Sequence, residues 1–496
     1  MNTNDVMGPF GAPVPEREVA ATLKAEELSL FDSTAVAVSS VAPAYSLAST
    51  IQAVIAVAGV GLVAPSVLIA SFVPVMFVAL SYFHLNRRNP NCGASYSWLA
   101  QVVNPYFGWI NGWVQVGASV LFCTTAPLLA GGYTLQFLHS AFNAVPESAL
   151  NSTVWTAWIA AGWLAFVTWI CIVGIRWTTN AQWVMVLIEY TVVIVFSIGG
   201  IIKVLLRHPA HSLSFSPGWL DPFHIHGLSA LAPGLALGVF FFWGWDTALN
   251  LNEESKEASR IPGRAGLISM WLLLFVFLLN IVAVEMLLGP AAINAQGTGV
   301  LFYFGQQFAG PWASYVMIFA VLSSTVATTQ TTVLPAARIT LSMARDGVFP
   351  KVFAKVSPRF QTPVIGTLLV SGFSMAGIFL TTVSSSANSV FNNLVLNIGV
   401  LVAFYYGVTG LACAWAFRRT WGTSLRSTMA MIVAPLIGGL VLLYVCYDVI
   451  KAGGKTALPD VIVLVSSVPF VILTWWVTKG KTTFFKQPLV AYDTID

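Results

Sequence analysis

Long apolar runs alternate with short polar connectors over nearly the whole chain. Twelve such runs, each of roughly 20 residues or more, lie near 34–56, 63–83, 108–138, 154–173, 179–202, 229–251, 265–288, 312–341, 364–383, 389–417, 429–450 and 460–478. A helix of that length crosses about 30 Å of hydrocarbon, so the pattern predicts an all-α membrane protein with 12 transmembrane helices. Residues 1–33 hold six acids against Arg17 and Lys24 and no apolar run. They read as a polar tail and not as a secretory signal.

Two runs are interrupted. The first, "AVAVSSVAPAYSLASTIQAV", carries Pro43 near its middle among Ser39, Ser40 and Ser46; proline has no amide hydrogen and frees a carbonyl one turn back. The sixth, "VFFFWGWDTALNLNEESKEASR", breaks at Gly244, just ahead of Asp246. Lipid-facing backbone must be hydrogen-bonded, so an opened helix is tolerated only around a protein-lined cavity. An ordinary kinked helix accounts for either interruption taken alone. Together they stand five runs apart, at corresponding positions of two five-helix halves, which is the pattern of an inverted-repeat transporter with its site at the midplane.

The acids sharpen this. Glu189 and Asp246 lie well inside their runs, whereas Glu285 and Asp448 stand near run ends, from which an interface is in reach. No Lys or Arg shares the depth of the first two. A carboxylate left alone there costs roughly a few kcal/mol. Either a cation visits it, or it takes up a proton because desolvation disfavours its charge; a neutral acid bonded to a backbone carbonyl is the structural alternative. Run eight adds "SSTVATTQTT" at 323–332, with seven hydroxyl-bearing residues in ten. Such hydroxyls either bond their own helix and pack, or line a polar cavity and ligate a small cation; Ser324 and Thr328 are the candidates.

Composition narrows the class. Of 496 residues 57% are hydrophobic and 8% charged, against about a quarter charged in soluble domains. A net charge of +4 gives no reason to expect nucleic acid. With both termini cytoplasmic, only Lys203, Arg207, Lys451 and Lys455 of the 23 Lys and Arg fall on the outer side, a strong positive-inside bias. Cys92, Cys123, Cys171, Cys413 and Cys446 have no paired spacing and read as buried small hydrophobes. No dinucleotide, zinc-hydrolase or P-loop signature stands out; "GVGLVA" at 59–64 is a turn between two runs. "HPAH" at 208–211 and "HIH" at 224–226 imitate metal spacing without a Cys or carboxylate cluster and read as solvated loops. Asn151-Ser152-Thr153 is a formal glycosylation acceptor. The expectation is no enzyme, no cofactor and no metal.

Three separated segments resemble one family. "FFWGWDTALNLNEESKEASRIPGRA" is similar to the sixth span and following loop of the amino acid–polyamine–organocation permeases, "ARDGVFPKVFAKVSPRFQTP" at 344–363 to their loop after span eight, and "NPNCGASYSWLAQVVNPYFGWINGW" at 89–113 to their entry into span three. The resemblance covers nearly the whole chain beyond the N-tail. It implies a leucine-transporter-like 5+5 inverted repeat plus two C-terminal helices, with substrate between the broken spans one and six. The implied binding residues are Ser40, Ala42, Pro43, Ala44, Tyr45, Trp243, Gly244, Trp245 and Asp246, one of the two tryptophans acting as a gate. Glu189 stands where proton-coupled relatives carry a titratable residue, often lysine. One departure matters: the family's Gly-Ser-Gly-like stretch is replaced by "SSVAPAYS". Amides near Ala42 and Ala44 remain candidates for a substrate carboxylate, but close approach is less assured.

The reading is a secondary active transporter in the plasma membrane, importing an amino acid and coupled to the proton gradient, with sodium as the alternative coupling ion. An amine or polyamine permease or exchanger is the alternative; a non-transporting sensor or channel is the rival class. Residues 1–33 form the N-tail, 34–205 and 206–420 the two repeats, 421–480 the last two spans and 481–496 the cytoplasmic C-tail. The expected partners are a small-molecule substrate and the lipid bilayer.

Overall fold

Serine 29 starts the first helix. Its hydroxyl accepts from the Asp32 amide at 3.3 Å, and its own amide donates to the Asp32 carboxylate at 3.0 Å, a reciprocal cap that satisfies two orphan donors. The helix therefore begins at Leu30, four residues before the apolar run at 34. The computed structural model describes residues 23, 26–150, 152–173, 175–225, 228–383, 387–479 and 481–492. Asn151, His226 and most of the polar N-tail lie outside them.

Among the described residues the regular structure is helical, apart from one isolated bridge between Leu28 and Ser255. The helices are α1 (Leu30–Val41), α2 (Pro43–Ile55), α3 (Ala64–Arg88), α4 (Ser95–Val102), α5 (Pro105–Phe142), α6 (Glu147–Leu150), α7 (Thr153–Val173), α8 (Ile175–Arg207) and α9 (Leu228–Phe242). After the second break follow α10 (Thr247–Asn250), α11 (Ile261–Gln296), α12 (Val300–Ala309), α13 (Pro311–Arg345), α14 (Val364–Leu380), α15 (Ala387–Ala416), α16 (Leu425–Thr428), α17 (Ala434–Gly453) and α18 (Leu458–Thr478). Ten stretches among the described residues are long and apolar enough to cross a membrane. One of them, Leu425–Thr478, contains both α17 and α18, and Leu231–Phe242 is a further, shorter apolar helix ending at the second break.

Burial sorts these helices into a centre and a wall. In Leu30–Ile55, 94% of the apolar window is buried, against 33% in Thr153–Val173, Trp183–Arg207 and Val364–Val383. The broken pair α1 and α2 thus occupies the interior, packed on α8, α11 and α13. The wall helices turn Trp158, Trp169, Leu187 and Phe373 outward, an apolar exterior that suits hydrocarbon and not water. His208, His211 and His224 are exposed, and the five cysteines are free and buried.

Glu285 departs from the sequence reading. It is fully buried, and neither carboxylate oxygen has a partner. The reason is local: Gly289 turns the backbone at φ 71°, and the 208–213 connector folds over this end of α11, where the Leu213 amide donates to the Met286 carbonyl at 2.7 Å. The carboxylate is roofed before it can reach an interface.

Candidate functional site

The first break lies at Ala42 and not at the proline. Ala42 sits at φ 49° and ψ 77°, a left-handed conformation that costs an alanine roughly 1–2 kcal/mol. Pro43 is then the first residue of α2, a position where its missing amide hydrogen is harmless. Cross-links hold the turn from both sides. The carbonyls of Ser40 and Val41 accept from the hydroxyls of Thr328 (2.5 Å) and Ser46 (2.6 Å). The amides of Ala44 and Tyr45 donate to Glu189 Oε1 (2.8 Å) and Ser324 Oγ (2.9 Å), and Ser324 Oγ donates to the same Glu189 oxygen at 2.7 Å. The amides near Ala42 and Ala44, expected to be available, are both engaged: Ala42 bonds the Val38 carbonyl at 3.2 Å.

At the second break the chain leaves α9 after Phe242 and re-forms as α10 at Thr247. Gly244 has φ 120°, and a Cβ there would lie 2.8 Å from both the carbonyl carbon and Oγ of Ser40. Only glycine meets both demands. Ser40 Oγ and Thr247 Oγ1 are 2.8 Å apart, so the two breaks, distant in sequence, lie against each other.

Asp246 is buried here. Tyr406 donates to its Oδ1 at 2.9 Å and Tyr405 to its Oδ2 at 3.3 Å, while Trp243 Nε1 donates to the Tyr405 hydroxyl. The cavity beside it measures about 30 Å³ and is lined by Ser40, Gln115, Ser119, Trp243, Gly244, Asp246, Thr247, Asn250, Thr331, Thr332 and Tyr405 among others. That is room for a water or two. The lining belongs to the α1 and α10 side of the breaks. On the α2 side, aromatic rings close the path: Tyr45 to Phe122 at 5.2 Å and Phe122 to Trp243 at 5.1 Å between centroids.

Of the candidate gate pair, Trp243 faces the cavity. Trp245 is buried against Tyr82 (5.0 Å) and Tyr406 (5.5 Å). The run-eight hydroxyls divide as well. Thr325, Thr329, Thr331 and Thr332 bond carbonyls of their own helix, whereas Ser324 and Thr328 reach across to the first break. Tyr405, Tyr406, Gln115 and Ser119 were missed in the sequence. The "YY" at 405–406 was the available signal, since a buried Asp246 without a base needs hydroxyl donors.

Residues 28–481 match the family described as Amino acid permease. The low-affinity putrescine importer PlaP of Escherichia coli (strain K12) is 24% identical over 388 residues, 76% of this chain and 78% of that protein. Cationic amino acid transporter 4, vacuolar, of Arabidopsis thaliana is 25% identical over 68% of this chain and 56% of its own length. The large neutral amino acids transporter small subunit 2 of Homo sapiens is 24% identical over 67% and 58%. The crystal structure of MhsT in complex with L-phenylalanine shares the fold, with TM-score 0.64 and 11% identity, over 86% of this chain and 99% of MhsT.

Proposed function

The chain belongs to the amino acid permease family of multi-pass membrane transporters, and from that premise we propose a proton-coupled importer of a small solute bearing an ammonium group, an amino acid or an amine. Asp246 carries this reading. Among the described residues it is the one acidic residue lining the cavity between the breaks, and no Lys, Arg or His lines it with it. An ammonium group placed there gains a desolvated counter-charge and the indole of Trp243. PlaP is named for putrescine and the plant and human relatives for amino acids; all of these carry ammonium groups.

In this reading twelve helices cross the plasma membrane with both termini cytoplasmic, and 34–205 and 206–420 are inverted repeats. Coupling runs through Glu189, which ties α8 to the start of α2 and to Ser324. A proton is favoured over sodium because a titratable acid, Glu189, stands buried at the first break, bonded to the Ala44 amide and the Ser324 hydroxyl. In proteoliposomes with an imposed inward proton gradient, labelled solute is expected to accumulate without sodium. Glu189→Gln is expected to keep binding and counterflow exchange and to lose gradient-driven accumulation. Wild-type accumulation by the Gln variant, or strict sodium dependence, refutes the coupling role; a sensor accumulates nothing.

The tryptophan pair gives a second expected result. Trp243→Ala is expected to weaken solute binding by about 1 kcal/mol or more with folding intact. Trp245→Ala empties a buried ring site and is expected to cost about 3–5 kcal/mol of stability. Thermal unfolding together with solute titration separates the two, and the reverse assignment of effects overturns the gate.

A further inference from the structure

We propose that the solute is an organic amine with no carboxylate beside its ammonium group, because Glu189 and Ser324 already occupy the backbone donors that would hold one. The inference rests on the reading of an ammonium-bearing solute above and specifies it.

An opened membrane helix offers an anion the N–H groups at the start of its second half. In α2, a helix of 13 residues, those groups can be accounted for one by one. Pro43 has none. Ala44 donates to Glu189 Oε1 at 2.8 Å, Tyr45 to Ser324 Oγ at 2.9 Å and Ser46 to the Ala42 carbonyl at 2.9 Å. Glu189 comes from α8 and is fully buried; its second oxygen, Oε2, has no partner. A carboxylate of the protein itself, tethered and desolvated, therefore stands at the place and on the atoms a substrate carboxylate would need.

The second break adds to the effect. Asp246, held by the hydroxyls of Tyr405 and Tyr406, lines the cavity, so a second acidic side chain of the protein stands at the breaks. Among the described residues no cationic side chain lines the cavity to offset a third. A solute carboxylate would have to displace Glu189 from the Ala44 amide and Ser324, leaving a second Glu189 oxygen buried without a donor beside Oε2, and a buried polar group without a partner is costly. A solute that presents only ammonium and apolar groups asks for no such displacement.

The test uses matched pairs on the purified full-length protein: 1,4-diaminobutane against ornithine, 1,5-diaminopentane against lysine, and phenethylamine against phenylalanine. Each pair differs only by the α-carboxylate. Binding is followed by ligand-dependent shift of the unfolding temperature and by calorimetric titration. In any pair that binds, the amine is expected to bind about tenfold or more tightly than its carboxylated partner. Glu189→Ala, which frees the Ala44 amide, is expected to narrow or invert that ratio. A variant altered only in packing would weaken both members equally, and that result overturns the role of Glu189. Equal or tighter binding of the amino acids by the unmodified protein overturns the inference and leaves the transporter reading standing. No binding of any member by folded protein overturns both.

Discussion

Asp246→Asn is expected to lose solute binding by roughly 30-fold or more while the protein still folds. The substitution keeps the shape of the side chain and one oxygen for Tyr406, whose hydroxyl lies 2.9 Å from Oδ1. What disappears is the charge. Removing one partner of a buried, desolvated ion pair costs about 2–5 kcal/mol, and each 1.4 kcal/mol is about a factor of ten in affinity. Without solute the Asn variant should be as stable as the parent or more so, since it no longer buries a carboxylate held only by neutral hydroxyls. Tyr406→Phe is the graded companion: it keeps the charge, removes one charge-assisted hydrogen bond of about 1.5–3 kcal/mol, and should weaken binding by less than the Asn change. Solute titration of both variants checks the order. An Asn variant that binds and transports like the parent removes Asp246 from the site.

Much of this geometry was legible because hydrocarbon makes certain residues expensive. A glycine and a carboxylate inside "FFFWGWD", or a proline among serines in run one, needs a reason where water is absent, and the structure sets those two places against each other at Ser40, Gly244 and Thr247. The finer assignments depended on an unwound backbone, over which helical periodicity says nothing. Trp243 and Trp245 are two residues apart, and no rotation angle could tell which would face the cavity. The opening at Ala42 rather than Pro43 likewise rests on hydrogen bonds to α8 and α13 that lie far off in sequence. Tyr405 and Tyr406 gain a role only once Asp246 is placed beside them. Glu189 was visible as an unpaired acid, but its partner is the Ala44 amide and the Ser324 hydroxyl, neither of which carries charge. The start of α1 had a local signal, Ser29 followed by Asp32, that the apolar run concealed.

The charge cluster after the second break conceals a larger energetic commitment than its place at a span end suggests. Arg338, at the end of α13, donates from Nε and Nη2 to the two oxygens of Glu254 at 2.7 and 2.8 Å, and both side chains are fully buried. The same segment accepts from the amides of Glu27 and Leu28 and donates through Asn252 to Asn86 at 2.8 Å. It joins the start of α1, the end of α3 and the end of α13 on the cavity side of the breaks. Arg338→Met is expected to destabilise the protein by about 3–5 kcal/mol, because it leaves Glu254 charged, buried and unpaired. That is a large share of a typical stability of about 5–15 kcal/mol, so low yield of folded protein is part of the expected result. The double substitution Glu254→Gln with Arg338→Met should recover most of the loss, since replacing both members of a buried pair is often near neutral. The neighbouring pair, Arg345 with Glu253 at 2.9 Å, is partly exposed and should cost about 0–1 kcal/mol when broken. Burial opposes the charge on Glu253, but Arg345 and the Cys92 amide outweigh it and hold its carboxyl below the usual glutamate range. Its contribution is therefore present at neutral pH and lost as the pH falls through that lowered value. Unfolding temperatures of the four proteins of the Glu254 and Arg338 cycle, in one detergent at pH 7, decide the matter. Equal stability of Arg338→Met and the parent would mean that water reaches Glu254 and that the pair is not a buried lock.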